Sequence, residues 1–358
     1  MRRPPVLDLG GREHRKERIM PDANRMAYLD AEHRITIRTE PVPRPGAGEA
    51  LVKIAANGLC GSDIHFYHEG RLGNFVVTTP YVPGHEACGV VAGVGEGALG
   101  VAAGDRVVIE PGIPCGRCGP CRGGRYNLCP DVVFLSAPPI NGTFCDYVAI
   151  RADALHAMPE GMGFEAAALA EPAAVAVHAV NRAGAVRGAD AVVLGCGPIG
   201  LLTLQAFRAA GGARVVAVDK LARRLDKARQ LGAAAAVEPG DEAALAEGGD
   251  VVFETAGSAA ATAGAFRCAR PGGTVVQVGW PEENLVPLNI AEFLDKELDY
   301  VAVNRYANAF PTAIAWLADG RLRADELITH RFGFDRVEEA FRFSLEHRDE
   351  VIKTVVLN

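Results

Sequence analysis

The stretch Gly195-Cys196-Gly197-Pro198-Ile199-Gly200 decides the fold class, because it sets a G-x-G-x-x-G pattern between a β-rich run at 191–194 and a helical pattern at 198–210. In a strand–turn–helix unit the first glycine permits the tight turn, the second lets the backbone approach a pyrophosphate, and the third allows close packing. The helix N-terminus adds N–H donors and a positive dipole. The stretch predicts a dinucleotide site, with an ordinary strand–helix turn as the alternative in a chain of 41 glycines.

The sequence on both sides of this stretch alternates between strand and helix patterns. Further strands are predicted at 214–218, 251–254 and 274–278, and helices at 173–183, 221–231 and 258–269. Such alternation is typical of βαβ units wound right-handed into a parallel sheet. We therefore predict an α/β fold in which residues 173–307 form a doubly wound domain.

Asp219 sharpens the dinucleotide prediction, because it ends the strand after the glycine stretch. A carboxylate at this place accepts hydrogen bonds from the adenosine ribose hydroxyls and repels a 2′-phosphate, which favours NAD over NADP. Lys220, Arg223 and Arg224 follow directly and offer positive charge to a phosphate, so the exclusion of NADP is incomplete. Their alternative interpretation is a solvated helix face.

The rest of the chain forms a second unit in two pieces. From 35 to 150 short strands are broken by Gly and Pro, for example at 50–55, 89–94 and 106–110, which is typical of a β-rich domain with long loops. Helices are predicted at 311–318 and 337–347, and a last strand at Lys353–Leu357. We expect this tail to return to the first domain, giving a catalytic domain of residues 25–172 and 308–358 after a disordered arm at 1–24.

Composition limits the kinds of partner. The 358 residues carry a formal net charge of -7, which argues against a nucleic-acid or anionic-membrane partner. No apolar run approaches the roughly 20 residues that span a bilayer, and the first residues lack the apolar core of a secretory signal. We therefore expect a cytoplasmic protein whose nine cysteines stay reduced and bind metal rather than pair.

Four of these cysteines form a compact pattern, Cys115-x2-Cys118-x2-Cys121-x7-Cys129, in a loop rich in Gly and Pro. Four thiolates this close can complete a tetrahedron around zinc without help from other segments. An iron–sulfur cluster is the chief alternative. Since a closed four-sulfur site has no open position, we expect a structural role for it.

A second metal set is dispersed along the chain. Cys60 lies in Gly58-Leu59-Cys60-Gly61-Ser62-Asp63, His85 in Gly84-His85-Glu86, and Glu171 at the predicted junction of the two domains. A thiolate, an imidazole and a carboxylate leave a fourth zinc position for water or substrate. Spacing alone does not join these residues, because each also has a plain structural interpretation as a core, turn or helix-start residue.

Together these motifs resemble the zinc-containing medium-chain dehydrogenases, and within that family the sorbitol and xylitol dehydrogenases. Three further segments are similar to theirs, at 70–75, at 123–128 and at Asn304-Arg305-Tyr306. The likeness runs from about residue 26 to the end. It implies a GroES-like catalytic domain, an inserted Rossmann domain, an active site in the cleft between them, and a homo-tetramer or dimer.

The resemblance also implies roles for individual residues. The catalytic zinc would lie near Cys60, His85, Glu86 and Glu171, with Asp63 orienting the ring of His85, while Ser62 and His65 would relay a proton. Which of the two glutamates binds zinc directly stays open, as does a helix-capping role for Ser62 and a surface role for His65. Substrate contacts would come from Tyr67, Glu171, Arg305 and Tyr306. The expected cofactor-binding residues are Gly195, Gly197, Pro198, Ile199, Gly200, Asp219, Arg224, Val278 and Arg305.

The function expected from these residues is oxidation of a secondary hydroxyl of a small polyol to a ketose, with zinc as the Lewis acid and NAD as the hydride acceptor. Phe66 stands where sorbitol-active relatives tend to have tyrosine, which leaves sorbitol itself open. A threonine or 2,3-butanediol dehydrogenase on the same scaffold is one alternative. A non-catalytic NAD-binding sensor or structural protein is another.

Overall fold

The computed structural model describes residues 23–241, 245, 248–281 and 285–358. In this part of the chain the strands are β1 Ala23–Leu29, β2 Ile35–Pro41, β3 Glu49–Gly58, β4 Arg71–Leu72, β5 Phe75–Val76, β6 Glu86–Val94, β7 Arg106–Ile109, β8 Gly112–Ile113, β9 Val133–Phe134, β10 Tyr147–Arg151, β11 Leu155–Ala157, β12 Ala191–Leu194, β13 Val215–Val218, β14 Ala235–Val237, β15 Gly249–Glu254, β16 Ala269–Gln277, β17 Asp299–Ala302, β18 Ile328–Gly333 and β19 Lys353–Leu357.

The α-helices of the described residues are α1 Gly61–Glu69, α2 Gly119–Arg122, α3 Phe164–Ala168, α4 Ala170–Arg182, α5 Pro198–Ala209, α6 Ala222–Gln230, α7 Ala259–Gly264, α8 Ile290–Asp295, α9 Phe310–Ala318 and α10 Val337–Glu346. Short 3-10 helices lie at Tyr126–Leu128, Ala152–Ala154, Ala324–Leu327 and Phe334–Arg336. None of the helices described here is both long and apolar enough to cross a membrane.

The central part of the chain forms a six-stranded sheet in the order β14-β13-β12-β15-β16-β17, with every pair parallel. Renumbered by sequence this is 3-2-1-4-5-6, the doubly wound nucleotide-binding order. The order reverses between β12 and β15, and ligands of such sheets bind outside the carboxyl ends of the strands at this point. The glycine stretch directly follows β12, so it lies at the reversal.

The flanking parts form the second unit, a seven-stranded sheet in the order β11-β7-β6-β3-β19-β18, with β10 also paired to β3. The C-terminal strand β19 pairs antiparallel with β3 and parallel with β18. The last strand therefore returns to the first domain, as the sequence predicted. Helix α4 crosses the predicted boundary between residues 172 and 173 and packs against α5 and α9, which joins the two units through one buried apolar cluster.

Some sequence expectations need correction. The stretch from 35 to 150, which was predicted to consist of strands and loops, also contains the nine-residue helix α1. The helix was missed because Gly61 at its start and the left-handed Gly70 after its end resemble loop residues. The predicted helix at 258–269 is only Ala259–Gly264, and Ala269 already belongs to β16. The predicted arm 1–24 lies outside the described residues except for Ala23 and Asn24, which begin β1. Asn24 is buried, and its side-chain amide bonds to the backbone of Tyr147 in both directions.

Candidate active site

Cys60 is placed by the junction of β3 and α1, where it is the residue that precedes the first turn of the helix. Its backbone N–H donates to Asp63 Oδ2 over 3.1 Å, so an acid in the first helical turn fixes the thiol-bearing residue. Ser62 lies inside α1, not at its cap, so a capping role for this serine is wrong. The first metal-site residue thus stands on a rigid strand–helix junction.

Cys60, His85 and Glu86 each offer a ligand atom, and these atoms all lie within 4.8 Å of one another. His85 and Glu86 are 6% and 1% exposed, at the start of β6, which pairs with β3. Thiolate, imidazole and carboxylate are the ligands that zinc prefers in catalytic sites. The residues present therefore fit a zinc ion with an open position, and the structure brings together two segments, 58–63 and 84–86, that the sequence left separate.

Glu171 lies beside this set but does not belong to the group within 4.8 Å. It is 5% exposed at the start of α4. Burial and the negative charge of Glu86 raise the pKa of the Glu171 carboxyl, against the opposing charges of His85 and Lys353. The structure brings both predicted glutamates to one buried place, with Glu86 nearer to the thiol and the imidazole.

Asp63 was expected to orient the ring of His85. Its Oδ1 lies 3.7 Å from His85 Nδ1, which is longer than a hydrogen bond, and it accepts instead from Ser136 Oγ at 2.9 Å. Burial acts to raise the pKa of Asp63, but the charge of His85 and these hydrogen bonds lower it overall. Asp63 thus lies near His85 without a hydrogen bond to it, and it accepts the backbone N–H of Cys60 directly.

Lys353 is the site residue that the sequence analysis missed. Its ammonium is 2% exposed, makes an ion pair with Glu86 Oε2 and donates to the carbonyl of Leu59 over 3.0 Å. A buried charge needs a partner of this kind, because desolvation otherwise costs several kcal/mol. The one signal in the sequence is a lysine inside the buried strand Lys353–Leu357, whose neighbours are apolar.

The four sulfurs of the second set, Cys115, Cys118, Cys121 and Cys129, also lie within 4.8 Å of one another. Backbone N–H groups of Arg117 and Cys118 lower the pKa of the Cys115 thiol to about 6, whereas burial and a hydrogen bond with Cys118 raise the pKa of the Cys121 thiol to about 12. All nine cysteines are free of disulfides. This arrangement fits one tetrahedral metal ion closed by protein ligands.

The glycine stretch has the geometry that its pattern predicts. Gly195 has φ of +92°, in the left-handed region that favours glycine. A Cβ on Gly200 would lie 1.8 Å from the carbonyl oxygen of Gly195, so helix α5 approaches the strand closely, while a Cβ on Gly197 would point into open space. That space, beside the N-terminus of α5, is where a pyrophosphate fits.

Asp219 directly follows β13 and is 8% exposed. Its two oxygens accept the backbone N–H groups of Cys196, at 2.7 Å, and Leu221, at 2.9 Å, so the carboxylate is tied to the glycine turn. Arg224 lies 3.9 Å from Asp219 and donates to the carbonyl of Arg348 in the other unit. The predicted ribose-binding acid is therefore preorganised next to the pyrophosphate position.

The predicted relay residues lie along α1. His65 bonds to Glu69 at 3.3 Å, and both line a cavity of about 270 Å³ whose far wall is Trp280, from the segment after β16. Val278 lies at the base of the same segment, where its N–H donates to the carbonyl of Glu254. Residues of both units therefore border one cleft.

The aromatic residues of α1 face elsewhere. Tyr67 packs edge-on against Phe341, with ring centroids 5.5 Å apart, and Phe66 is 4% exposed beside Tyr81. Both belong to one apolar cluster with α10. The structure thus does not bring Tyr67 among the metal donors, and it buries the ring of Phe66 in that cluster.

Arg305 and Tyr306 lie near the group of metal-ligating residues. Tyr306 is 2% exposed, and burial together with the charge of Glu171 raises the pKa of its hydroxyl. The Arg305 guanidinium lies 4.9 Å above the ring of Phe134, whose other neighbour is the ring of His85 at 5.6 Å. The predicted substrate-binding pair is thus joined to the metal set through Glu171 and Phe134.

A doubly wound sheet with a dinucleotide cradle, a Cys–His–Glu zinc set and a four-cysteine set define a zinc-dependent dehydrogenase of the alcohol dehydrogenase class. Residues 46–160 match the family described as "Alcohol dehydrogenase GroES-like domain", and residues 198–319 match "Zinc-binding dehydrogenase". The chain belongs to the zinc-containing medium-chain dehydrogenase family, near its polyol dehydrogenases. The predicted family, the fold class and the prediction of an enzyme are confirmed.

Individual relatives cover nearly the whole chain. Sorbitol dehydrogenase of Bacillus subtilis (strain 168) is 38% identical over 345 residues, 94% of this chain and 98% of that protein. Probable D-xylulose reductase A of Neosartorya fischeri is 35% identical over 88% of this chain and 91% of its own.

Two solved structures are similarly close. The structure of 2R,3R-butanediol dehydrogenase from Bacillus subtilis has a TM-score of 0.85 at 30% identity, covering 94% of this chain and 99% of that one. A putative zinc-binding dehydrogenase from Sinorhizobium meliloti 1021 bound to NADP has a TM-score of 0.87 at 31% identity, covering 94% of this chain and 100% of its own.

Proposed function

We propose that this enzyme oxidises a secondary hydroxyl of a polyol, of the sorbitol or xylitol type, to a ketose and passes the hydride to NAD. The observation that carries the proposal is the buried donor set of Cys60, His85 and Glu86, with Glu171 and Tyr306 beside it. Its relatives include a sorbitol dehydrogenase and a D-xylulose reductase. Zinc bound at such a set supplies a Lewis acid that favours loss of the hydroxyl proton.

The geometry supports different roles for Glu86 and Glu171. Glu86 lies within 4.8 Å of the thiol and the imidazole, so we assign it as the direct carboxylate ligand together with Cys60 and His85. Glu171 lies outside that group, although it is buried beside it. We assign Glu171 and Tyr306 to hydrogen bonds with the substrate hydroxyls or with a water among them.

The proton leaves by the N-terminal part of α1. Ser62 and His65 lie on this helix close after Cys60, and His65 contacts Glu69 at the wall of the cleft. An imidazole accepts a proton at one nitrogen and releases one at the other, which suits a relay from a buried hydroxyl to solvent. Arg305, whose guanidinium lies over the ring of Phe134, completes the proposed site.

NAD is the proposed cofactor because Asp219 presents a preorganised carboxylate where a 2′-phosphate would have to sit. The guanidinium of Arg224 is already committed to the carbonyl of Arg348 and lies near Asp219. These contacts favour NAD even though a related structure is bound to NADP. The four cysteines at 115–129 are the proposed ligands of a second, structural zinc.

Compartment and assembly belong to the same proposal. Free cysteines throughout the chain fit a reducing compartment, and we propose the cytoplasm. We propose a homo-tetramer or dimer in which the copies associate through the edge strand β17 of the six-stranded sheet.

A diol dehydrogenase is the second candidate function, because the chain shares its fold with a 2R,3R-butanediol dehydrogenase. The test measures zinc per chain and then screens xylitol, sorbitol, 2,3-butanediol, threonine and ethanol with NAD and with NADP, with and without a chelator. We expect two zinc ions and NAD-linked polyol oxidation that the chelator abolishes. Preference for ethanol would refute the polyol proposal, preference for butanediol or threonine would favour the second candidate, and NAD binding without turnover would indicate a non-catalytic protein.

A further inference from the structure

The four-cysteine loop, residues 115–129, is hydrogen-bonded to the segment 304–308. Asn127 Nδ2 donates to the carbonyl of Asn304, Asn308 Nδ2 donates to the carbonyl of Gly124, and the backbone N–H of Asn308 donates to the hydroxyl of Tyr126, each over 2.8 Å. The two segments are nearly 180 residues apart in sequence. The four-cysteine loop is therefore hydrogen-bonded to both ends of a segment that lies at the boundary between the two units.

The backbone conformation of the segment 304–308 requires stabilisation by hydrogen bonds of this kind. Arg305 and Asn308 have φ of +57° and +56°, in the left-handed region that residues other than glycine rarely adopt. Residues in this region persist where the surrounding structure over-determines them, and they concentrate at functional sites. Because the hydrogen bonds from the loop lie at residues 304 and 308, they flank the strained arginine and hold its conformation.

The segment 304–308 contains Arg305 and Tyr306, the two proposed substrate-binding residues. Tyr306 approaches Glu171, and Arg305 lies over Phe134, whose ring neighbours His85. A change in the backbone at 304–308 therefore moves two side chains relative to the metal donors. The cofactor cradle at Gly195–Gly200 has no part in these contacts.

Tyr126 is itself held in one orientation. Its hydroxyl donates to Glu110 Oε1 over 2.8 Å, which leaves its oxygen free to accept the N–H of Asn308. Glu110 is buried and bonded through its other oxygen to His156, whose ring stacks on Phe310 at 5.0 Å. This chain of contacts anchors the hydroxyl from behind, as expected for a group that sets the position of another.

We infer that Tyr126 and Asn127 are positioning residues of the reaction, which fix Arg305 and Tyr306 over the substrate through the segment 304–308. The inference rests on the proposed function for its kinetic consequences. It gives the four-cysteine loop a part in substrate recognition beyond its structural role.

The kinetic test compares Tyr126→Phe and Asn127→Ala with the control Tyr28→Phe. Tyr28 is half-buried, and its hydroxyl donates to the sulfur of Met26 over 3.8 Å. We expect kcat/KM for the polyol to fall about tenfold in Tyr126→Phe and Asn127→Ala, mainly through KM. The KM for NAD and the two zinc ions per chain should be unchanged. In an Arg305→Ala background the further loss should be smaller, because one of the two positioned side chains is gone.

A polyol KM within twofold of wild type, an equal rise in the KM for NAD, or an undiminished loss in the Arg305→Ala background would overturn the inference. Hydrogen exchange provides a measurement without substrate. Amides of residues 304–310 should exchange at least tenfold faster in Tyr126→Phe than in Tyr28→Phe, and equal rates would refute the positioning role even if wild type oxidised no polyol. Absence of polyol turnover with faster exchange would instead reject the proposed substrate and keep the positioning role.

Discussion

At the scale of single residues, the space around Glu86 is set by Gly58, the last residue of β3. A Cβ on Gly58 would lie 2.0 Å from Glu86 Oε2 and 3.1 Å from Lys353 Cε. The buried ion pair of Glu86 and Lys353 thus occupies room that only glycine leaves free. Removing one partner of such a pair typically costs about 3–5 kcal/mol, because the other charge stays buried and uncompensated.

We therefore expect Gly58→Ala to displace the Glu86 carboxylate and to lower the occupancy of the catalytic metal site. Zinc should fall from two ions to about one per chain, and polyol oxidation should fall at least a hundredfold. The control is Gly61→Ala, since a Cβ there meets no atom within 4 Å. Metal analysis of both purified variants checks the expectation, and full zinc content in Gly58→Ala would contradict it.

Asp219 gives the second prediction at this scale. Asp219→Asn removes the negative charge and keeps an acceptor for the N–H of Cys196, so the turn should survive while the cofactor preference changes. We expect the ratio of kcat/KM for NAD to that for NADP to fall at least tenfold, or about 1.4 kcal/mol. Asp226→Asn is the control, because Asp226 is exposed on α6 and pairs with Arg229. An unchanged ratio in Asp219→Asn would show that this acid does not select the cofactor.

At the scale of elements, sequence patterns located the structure where local chemistry determines it. The helix after the glycine stretch was expected at 198–210 and spans Pro198–Ala209, and the last strand was expected and found at Lys353–Leu357. Helix α1 was missed, because the glycines at its start and end resemble loop residues and its apolar face becomes evident only against α10. The candidate site shows the same limit: Cys60, His85 and Glu171 were predicted from their residue types and Glu86 from the family resemblance. Lys353 was missed, because its contact with Leu59 lies nearly 300 residues away in sequence.

Helix α4 carries a titratable contact that predicts a pH dependence. Burial, with smaller contributions from the charges of Arg182 and Arg125, lowers the pKa of His178 to about 4. Its Nδ1 lies 3.4 Å from the backbone N–H of Ala307, a contact that the neutral ring accepts and the protonated ring does not. Because the unfolded chain binds this proton near pH 6.5, the stability due to His178 is complete above that pH and is lost as the pH falls towards 4.

We therefore expect the free energy of unfolding to drop between pH 7 and pH 5 by on the order of 1 kcal/mol more in wild type than in His178→Asn, after allowance for the partial exposure of the ring. Asparagine keeps an acceptor but does not titrate. Denaturant unfolding at the two pH values measures the difference. Parallel loss of stability in both proteins would assign the pH dependence to other groups.

At the scale of the whole molecule, strand β17 forms one edge of the six-stranded sheet. Exposed apolar side chains lie on β17 and on helix α8: Tyr300 of β17 is 41% exposed, and Leu294 and Ile290 of α8 are 68% and 57% exposed. The rings of Phe293 and Tyr300 both pack against Phe266, so α8 and β17 share one side of the domain. An open strand edge beside an apolar surface is the arrangement that a second copy of a chain covers by strand pairing.

The assembly prediction follows from this surface. Leu294→Glu places a charge on each of two facing copies, and like charges at a buried interface cost several kcal/mol, so the variant should become monomeric at micromolar concentration while wild type stays a dimer or tetramer. Leu99→Glu is the control, because Leu99 is a leucine that is even more exposed, at 82% against 68% for Leu294, and lies in a loop of the catalytic unit. Light scattering coupled to size-exclusion chromatography measures the mass of each. If Leu99→Glu dissociates the assembly and Leu294→Glu does not, the copies associate through the catalytic unit and the edge of β17 stays free.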